Sequence, residues 1–238
     1  MQQQPGKFND GRTHGYAFGL YVGKHRGLRE VYHSGSTAGY SAFLTRFPDQ
    51  RVSVAVLCNV ATNATKLAHD VADVVLGDRL GADTAAPLPT AEELHRHAGL
   101  YRSELTGTAL TIAADADVLR GRKWTFTAQG ATAVDQFGSV ESYVRAEPAH
   151  PNREALAAYA GRYVSDDAET ELTAAVDGDR LVLKRRPDAI IPLTPTYADA
   201  FRTQGLGTVI FRRDANGRAT ELSVVQERVW NMTFVRTN

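Results

Sequence analysis

Two stretches of the chain repeat each other without a gap. At an offset of 62 residues, "LHRHAGLYRSELTGTALTIAADADVL", starting at Leu94, lies over "LAAYAGRYVSDDAETELTAAVDGDRL", starting at Leu156. This register pairs Leu94 with Leu156, Ala98-Gly99 with Ala160-Gly161, Tyr101 with Tyr163 and Ser103 with Ser165. It also pairs Leu110-Thr111 with Leu172-Thr173, and Asp115 and Asp117 with Asp177 and Asp179. Chance does not place so many identities in one ungapped alignment. An internal duplication follows, and it limits the fold to units of repeat size.

The second copy is the more complete. Strand-like runs occupy Gly161–Val164, Glu171–Val176, Arg180–Lys184, Ala189–Leu193, Thr208–Arg213, Thr220–Gln226 and Trp230–Val235. Asp177-Gly178-Asp179 and Asp214-Ala215-Asn216-Gly217 are hairpin turn signals between them. Seven or eight short antiparallel strands in about 80 residues predict a small up-and-down barrel. The first copy has fewer strands and is short after Leu119, so closure into a barrel of its own is not expected. Turn geometry is sufficient reason for Asp177 and Asp179, and for Asp115 and Asp117, so no calcium site is inferred there.

The N-terminal segment reads strand, strand, strand, strand, helix. Tyr16–Val22 and Leu28–Tyr32 flank the turn-like Gly23-Lys24-His25-Arg26-Gly27, and Tyr40–Phe47 and Val52–Cys58 flank Pro48-Asp49-Gln50. In the helix that follows, Leu67, Val71, Val74 and Val75 recur at i, i+4, i+7 and i+8, predicting an apolar face turned to the sheet. Thr62 or Asn63 can cap its start and Gly77 its end.

Lys plus Arg equals Asp plus Glu, 27 of each, so no global field draws the chain to nucleic acid or to an anionic membrane. The local basic clusters, Arg120-Gly121-Arg122-Lys123 and Lys184-Arg185-Arg186, read as solvated strand ends. A single cysteine, Cys58, rules out an internal disulfide and closes an apolar run, so a buried, inert thiol is expected. No apolar run approaches the roughly 18 residues of a membrane span, and "MQQQPGKFNDGRTHG" has no signal-peptide core. The chain as written is expected to be cytoplasmic.

"YAFGLYVG…VYHSGSTAGYSAFLTRFPDQRVSVAVLCNV" with its amphipathic helix resembles the end of the catalytic domain of serine hydrolases related to class C β-lactamases and penicillin-binding proteins. Esterases and D-amino-acid-specific peptidases belong to the same group. "YAGRY" and its β-rich tail resemble the lipocalin-like extension that many of these hydrolases carry. The resemblance implies that His33-Ser34-Gly35 is the third active-site motif, on a strand at the sheet edge. His33 would orient substrate and the proton-transfer network, Ser34 would hydrogen-bond substrate, and Gly35 would give clearance. The Ser36 backbone N–H would supply an oxyanion-hole donor. The reaction implied is acyl transfer through a serine ester, by attack on an amide or ester carbonyl and then hydrolysis.

The other two motifs of that family are missing. None of the nine serines has a lysine three residues on, and none of the nine tyrosines begins a Tyr-x-Asn. Neighbouring strand residues face opposite ways, so His33 is not expected to serve as base for Ser34. Among the remaining candidates, His95-x-His97 has no third ligand in view and reads as a surface or partly buried pair. Trp124, Trp230, Phe201, Phe211 and Phe234 read as core packing of a barrel.

The expectation is a mainly β chain in parts. Residues 1–80 form a truncated β-lactamase-like sheet with one C-terminal helix, and 81–91 a linker. Residues 92–145 form a shortened first β repeat, 146–153 a second linker, and 154–238 a lipocalin-like barrel. No cofactor or metal is expected. The rival reading is a ligand-binding or assembly module that takes a small molecule or peptide, associates with itself, or docks onto a missing catalytic portion. The sheet, lacking its helical partner layer, is expected to pack against the β region or a second copy.

Overall fold

In the computed structural model, all residues are described except 1, 8–10, 12–13, 83–87, 114–118, 120, 136–138, 227–228 and 238. Asp115, Asp117, Arg120 and part of the first linker therefore lie outside the described residues. The chain divides into two compact units, one built on Met1–Leu88 with Gly121–Lys123 and Val134–Val140, the other on Pro89–Arg120, Trp124–Ala133 and Glu141–Asn238.

The first unit holds an antiparallel sheet in chain order, β1 (Tyr16–Ala17), β2 (Leu20–His25), β3 (Leu28–Thr37), β4 (Tyr40–Phe47) and β5 (Val52–Cys58). Two-residue loops, Arg26-Gly27 and Ala38-Gly39, join β2 to β3 and β3 to β4. All four loop residues have positive φ, the backbone that matches strand twist in tight hairpins. Helix α1 (Ala64–Leu76) follows; the Asn63 side chain accepts from the Lys66 N–H at its start, and Gly77 caps its end.

The helix presents a different face from the one predicted. Ala64, Ala68, Ala72 and Leu76 are buried, against Phe43 and Phe47 of β4 and Val52 and Val54 of β5. Leu67, Val71, Val74 and Val75 point outward, between 44% and 85% exposed. Small residues at i+4 spacing let the helix settle close over a sheet face that already carries two phenylalanines, and the bulkier stripe is left outside. Cys58 is half-buried rather than buried.

The second unit begins with helix α2 (Ala91–His97), started by a Thr90–Glu93 capping box that the linker-like composition conceals. A five-stranded sheet follows, with β6 (Gly99–Ser103), β7 (Ala109–Ile112), β8 (Arg122–Phe126), β9 (Gly130–Asp135) and β10 (Val140–Arg145) in the order β7-β6-β10-β9-β8. Helix α3 (Arg153–Ala157) leads into eight strands. These are β11 (Gly161–Ser165), β12 (Thr170–Asp177), β13 (Arg180–Arg185), β14 (Ala189–Pro195), β15 (Ala200–Arg202), β16 (Thr208–Arg213), β17 (Ala219–Gln226) and β18 (Val229–Thr237). They form a closed barrel in chain order, shut by β11 pairing with β18. Tyr163, Phe201, Phe211, Leu222 and Phe234 fill its core. Trp124 packs with Phe126 in the core of the five-stranded sheet, and Trp230 is exposed.

Candidate functional site

Strand β3 changes character along its length. From Leu28 to Tyr32 it lies between two neighbours, because β2 pairs with it there. From His33 onward it pairs only with β4, His33 opposite Leu44, Ser34 opposite Phe43, Gly35 opposite Ala42 and Ser36 opposite Ser41. The second half of β3 is thus a sheet edge, as the resemblance implies, and Ser34 to Thr37 are exposed. Among the described residues, the backbone groups of this half that point away from β4 meet no strand.

His33 is held from the side. Its Nε2 lies 3.1 Å from the Tyr16 hydroxyl, and its ring is 5.9 Å from that of Tyr21, which stacks on Tyr32 at 5.3 Å. By strand alternation Ser34 occupies the opposite face from His33, so the two do not form a base–nucleophile pair. Gly35 is not demanded by the fold: a Cβ there would meet only the Ala42 Cβ, at an ordinary 3.7 Å.

Sequence reasoning passed over a second constellation, on the face that α1 covers. Glu30 of β3 is 3% exposed and accepts from the Thr45 hydroxyl at 2.6 Å. Its Oε1 is also 2.7 Å from His69 Nε2 of α1. The His69 ring stacks on His25 of β2 at 4.1 Å, and His25 Nε2 is 2.6 Å from Asp73 Oδ1. Partial burial pushes the Asp73 carboxyl upward, but hydrogen bonds from His25 and Arg26 outweigh it and hold the group below its usual range. Alternation along β2, with the intervals of 5 and 39 residues from His25 to Glu30 and from Glu30 to His69, left no motif to read.

Elsewhere, His95 and His97 sit two apart on α2, a spacing that does not bring side chains together, and His97 stacks on Phe126 at 4.8 Å. In the barrel, an apolar pocket of about 140 Å³ lies among Leu172, Leu206, Val224, Met232 and Phe234. Small-molecule sites run from about 300 Å³ upward, so this pocket is undersized for one.

Residues 2–79 match the Beta-lactamase family model. Over that span the N-terminal segment is similar to the Beta-lactamase family. No curated protein matches the chain. Similar solved structures include SurE with D-Leu, at 17% identity and TM-score 0.30, covering 97% of this chain and 40% of that one. The octameric penicillin-binding protein homologue from Pyrococcus abyssi is also 17% identical at TM-score 0.30, with 99% and 40% covered. The chain spans about 40% of the length of these structures. Among the described residues no helix is long and apolar enough to cross a membrane.

Proposed function

We propose that the His33–Ser36 edge is the substrate-contact wall of a β-lactamase-related serine hydrolase. The observation that carries this reading is the bare half of β3: exposed backbone beside a glycine that the fold itself does not require. An extended peptide or acyl group can lie along such an edge and pair with its backbone, and Gly35 leaves room for its approach. His33, steadied by Tyr16, orients substrate and its proton network; Ser34 donates or accepts a hydrogen bond; the Ser36 N–H faces the developing oxyanion. The nucleophilic serine and its lysine come from a portion outside these 238 residues, and the chain alone turns nothing over.

Two bare surfaces support a missing partner layer. The sheet face bearing Leu44 and Leu57, 50% and 83% exposed, and the outer stripe of α1 are the kind of apolar area that a complete domain covers. The β-rich remainder is read as a duplicated, lipocalin-like extension. Its two entry segments share bonds as well as letters, since Tyr101 donates to the His97 carbonyl and Tyr163 to the Tyr159 carbonyl, each at 2.8 Å.

The test is to treat the purified chain with a fluorescent serine-reactive phosphonate and with chromogenic ester and β-lactam substrates, beside Ser34→Ala. Neither labelling nor turnover is expected. Labelling that disappears in Ser34→Ala, together with turnover, would make Ser34 a nucleophile and overturn the reading. Adding a polypeptide that carries Ser-x-x-Lys and Tyr-x-Asn is expected to restore turnover; co-purification without it would end the idea of complementation.

A further inference from the structure

On the covered face of the N-terminal sheet, donor groups gather where apolar packing is the rule. We propose that His25, Glu30 and His69, completed by Asp73, bind one divalent transition-metal ion of the zinc type. One nitrogen from each histidine and one oxygen from Glu30 already lie within 4.8 Å of one another. A tetrahedral ion with bonds of about 2.0–2.1 Å sets its ligand atoms about 3.3 Å apart, so the two stacked histidine rings must turn toward each other's nitrogens to close the site. Asp73 Oδ1 lies 2.6 Å from His25 Nε2, beside this group, and would join it as the fourth ligand by turning inward.

The framework explains how the four converge. His69 and Asp73 are i and i+4 on α1, so their side chains project together. Glu30 pairs with Gly23 across the β2–β3 hairpin, and His25 lies two residues on from Gly23, on the same face. Thr45 fixes the Glu30 carboxylate from the side, as an orienting hydrogen bond does for a ligand oxygen.

Charge and donor type select the ion. Glu30 and Asp73 bring two carboxylates, whose charge a dication offsets, and the cost of burying the Glu30 carboxylate falls accordingly. Two imidazole nitrogens beside carboxylate oxygens suit zinc, cobalt or nickel over magnesium or calcium. By alternation Glu30 faces away from His33, so the ion takes no part at the β3 edge. It staples α1 to the β2–β3 hairpin, in the way structural zinc sites hold small folds together.

The experiment uses the full chain, stripped with a chelator and titrated with cobalt(II) and then zinc. One equivalent of cobalt is expected to give the strong visible bands of a four-coordinate site, and zinc to bleach them and raise Tm. His69→Gln and Glu30→Gln are expected to lose the bands, and Thr45→Val to bind about 10-fold more weakly. A His95→Gln/His97→Gln variant is expected to titrate as wild type. A wild-type chain that takes up no stoichiometric cobalt and shows no zinc-dependent Tm would overturn the proposal and leave an ion-pair network. Bands that survive in His69→Gln, or vanish in the His95/His97 variant, would overturn it as well.

Discussion

The five-stranded sheet of residues 99–145 and the barrel of residues 161–237 start alike and end differently. In both, a short helix buries a leucine, Leu94 or Leu156, before a strand whose tyrosine donates back to the carbonyl four residues earlier. The first pair of strands has the same register in both: Tyr101 faces Leu110 as Tyr163 faces Leu172, and Gly99 faces Ile112 as Gly161 faces Ala174. The first strand of each also pairs with its last, Tyr101 with Arg145 and Tyr163 with Arg236. What separates them is the number of strands between. With eight strands the sheet bends round to enclose a side-chain core; with five it stays open. The entry module thus specifies how the sheet starts and how its first and last strands meet, while strand number decides whether, among the described residues, the sheet closes round its interior.

The largest expected difference is in that interior. Phe211 touches Tyr159, Tyr163 and Phe201 by ring contacts. Phe211→Ala should cost about 3–5 kcal/mol and speed hydrogen exchange throughout the barrel, with peptides from residues 99–112 unchanged. Equal loss of protection in both regions would show that they unfold together and would break the comparison. Next comes the arginine of the last strand. Arg236 donates to the Ala219 carbonyl at 2.9 Å and also to the Ala160 carbonyl, whereas Arg145 makes one 3.3 Å bond to the Ala98 carbonyl. Arg236→Ala should cost about 2 kcal/mol and Arg145→Ala about 0.5 kcal/mol, from the strength of charge-assisted bonds, measured by urea unfolding of each variant.

The elements legible in the sequence were those whose local pattern and burial agree. Strands β4 and β5 alternate cleanly, and Asn63 and Gly77 bound α1 as caps do. The β-barrel was countable because turn signals punctuate it, although β15, three residues long, is too short to show a period. The buried face of α1 departs from the predicted one because periodicity weighs side-chain size, while the helix fits over Phe43 and Phe47 on three alanines and Leu76. His33–Ser36 lie on the half of β3 that pairs with β4 alone. The His25, Glu30 and His69 cluster was not legible in the sequence, because register and a helix crossing the sheet bring it together.

A smaller effect sharpens the likeness rather than the difference. Tyr163→Phe and Tyr101→Phe each remove one hydroxyl that donates to a carbonyl from the residue four positions earlier. Burial raises the pKa of both tyrosines, so each hydroxyl stays protonated through the neutral range. Each substitution should cost about 1 kcal/mol, and the two losses should agree within the error of chemical denaturation. A loss confined to Tyr163→Phe would mean that the open sheet does not depend on this bond and that its entry module is a relic of sequence alone.

The smallest expected effect concerns a surface pair that only the barrel has. Arg162 of β11 donates through Nε to Glu171 of β12 at 2.9 Å; the residues 62 earlier, Leu100 and Ala109, carry no charge. The hydrogen bond from Arg162 holds the Glu171 carboxyl below its usual range. A carboxylate with a lowered folded-state pKa contributes stability above its unfolded value of 4.5 and loses it as pH falls through the folded value. Between neutral pH and the acid side of 4.5, barrel peptides should therefore lose protection that the sheet peptides keep, with Glu171→Gln abolishing the difference. Because the pair is exposed, added salt should shrink the effect. An acid-sensitive step that persists in Glu171→Gln would have to come from another carboxylate of the barrel, and the Arg162–Glu171 pair would then be decoration on β11 rather than one of its ties to β12.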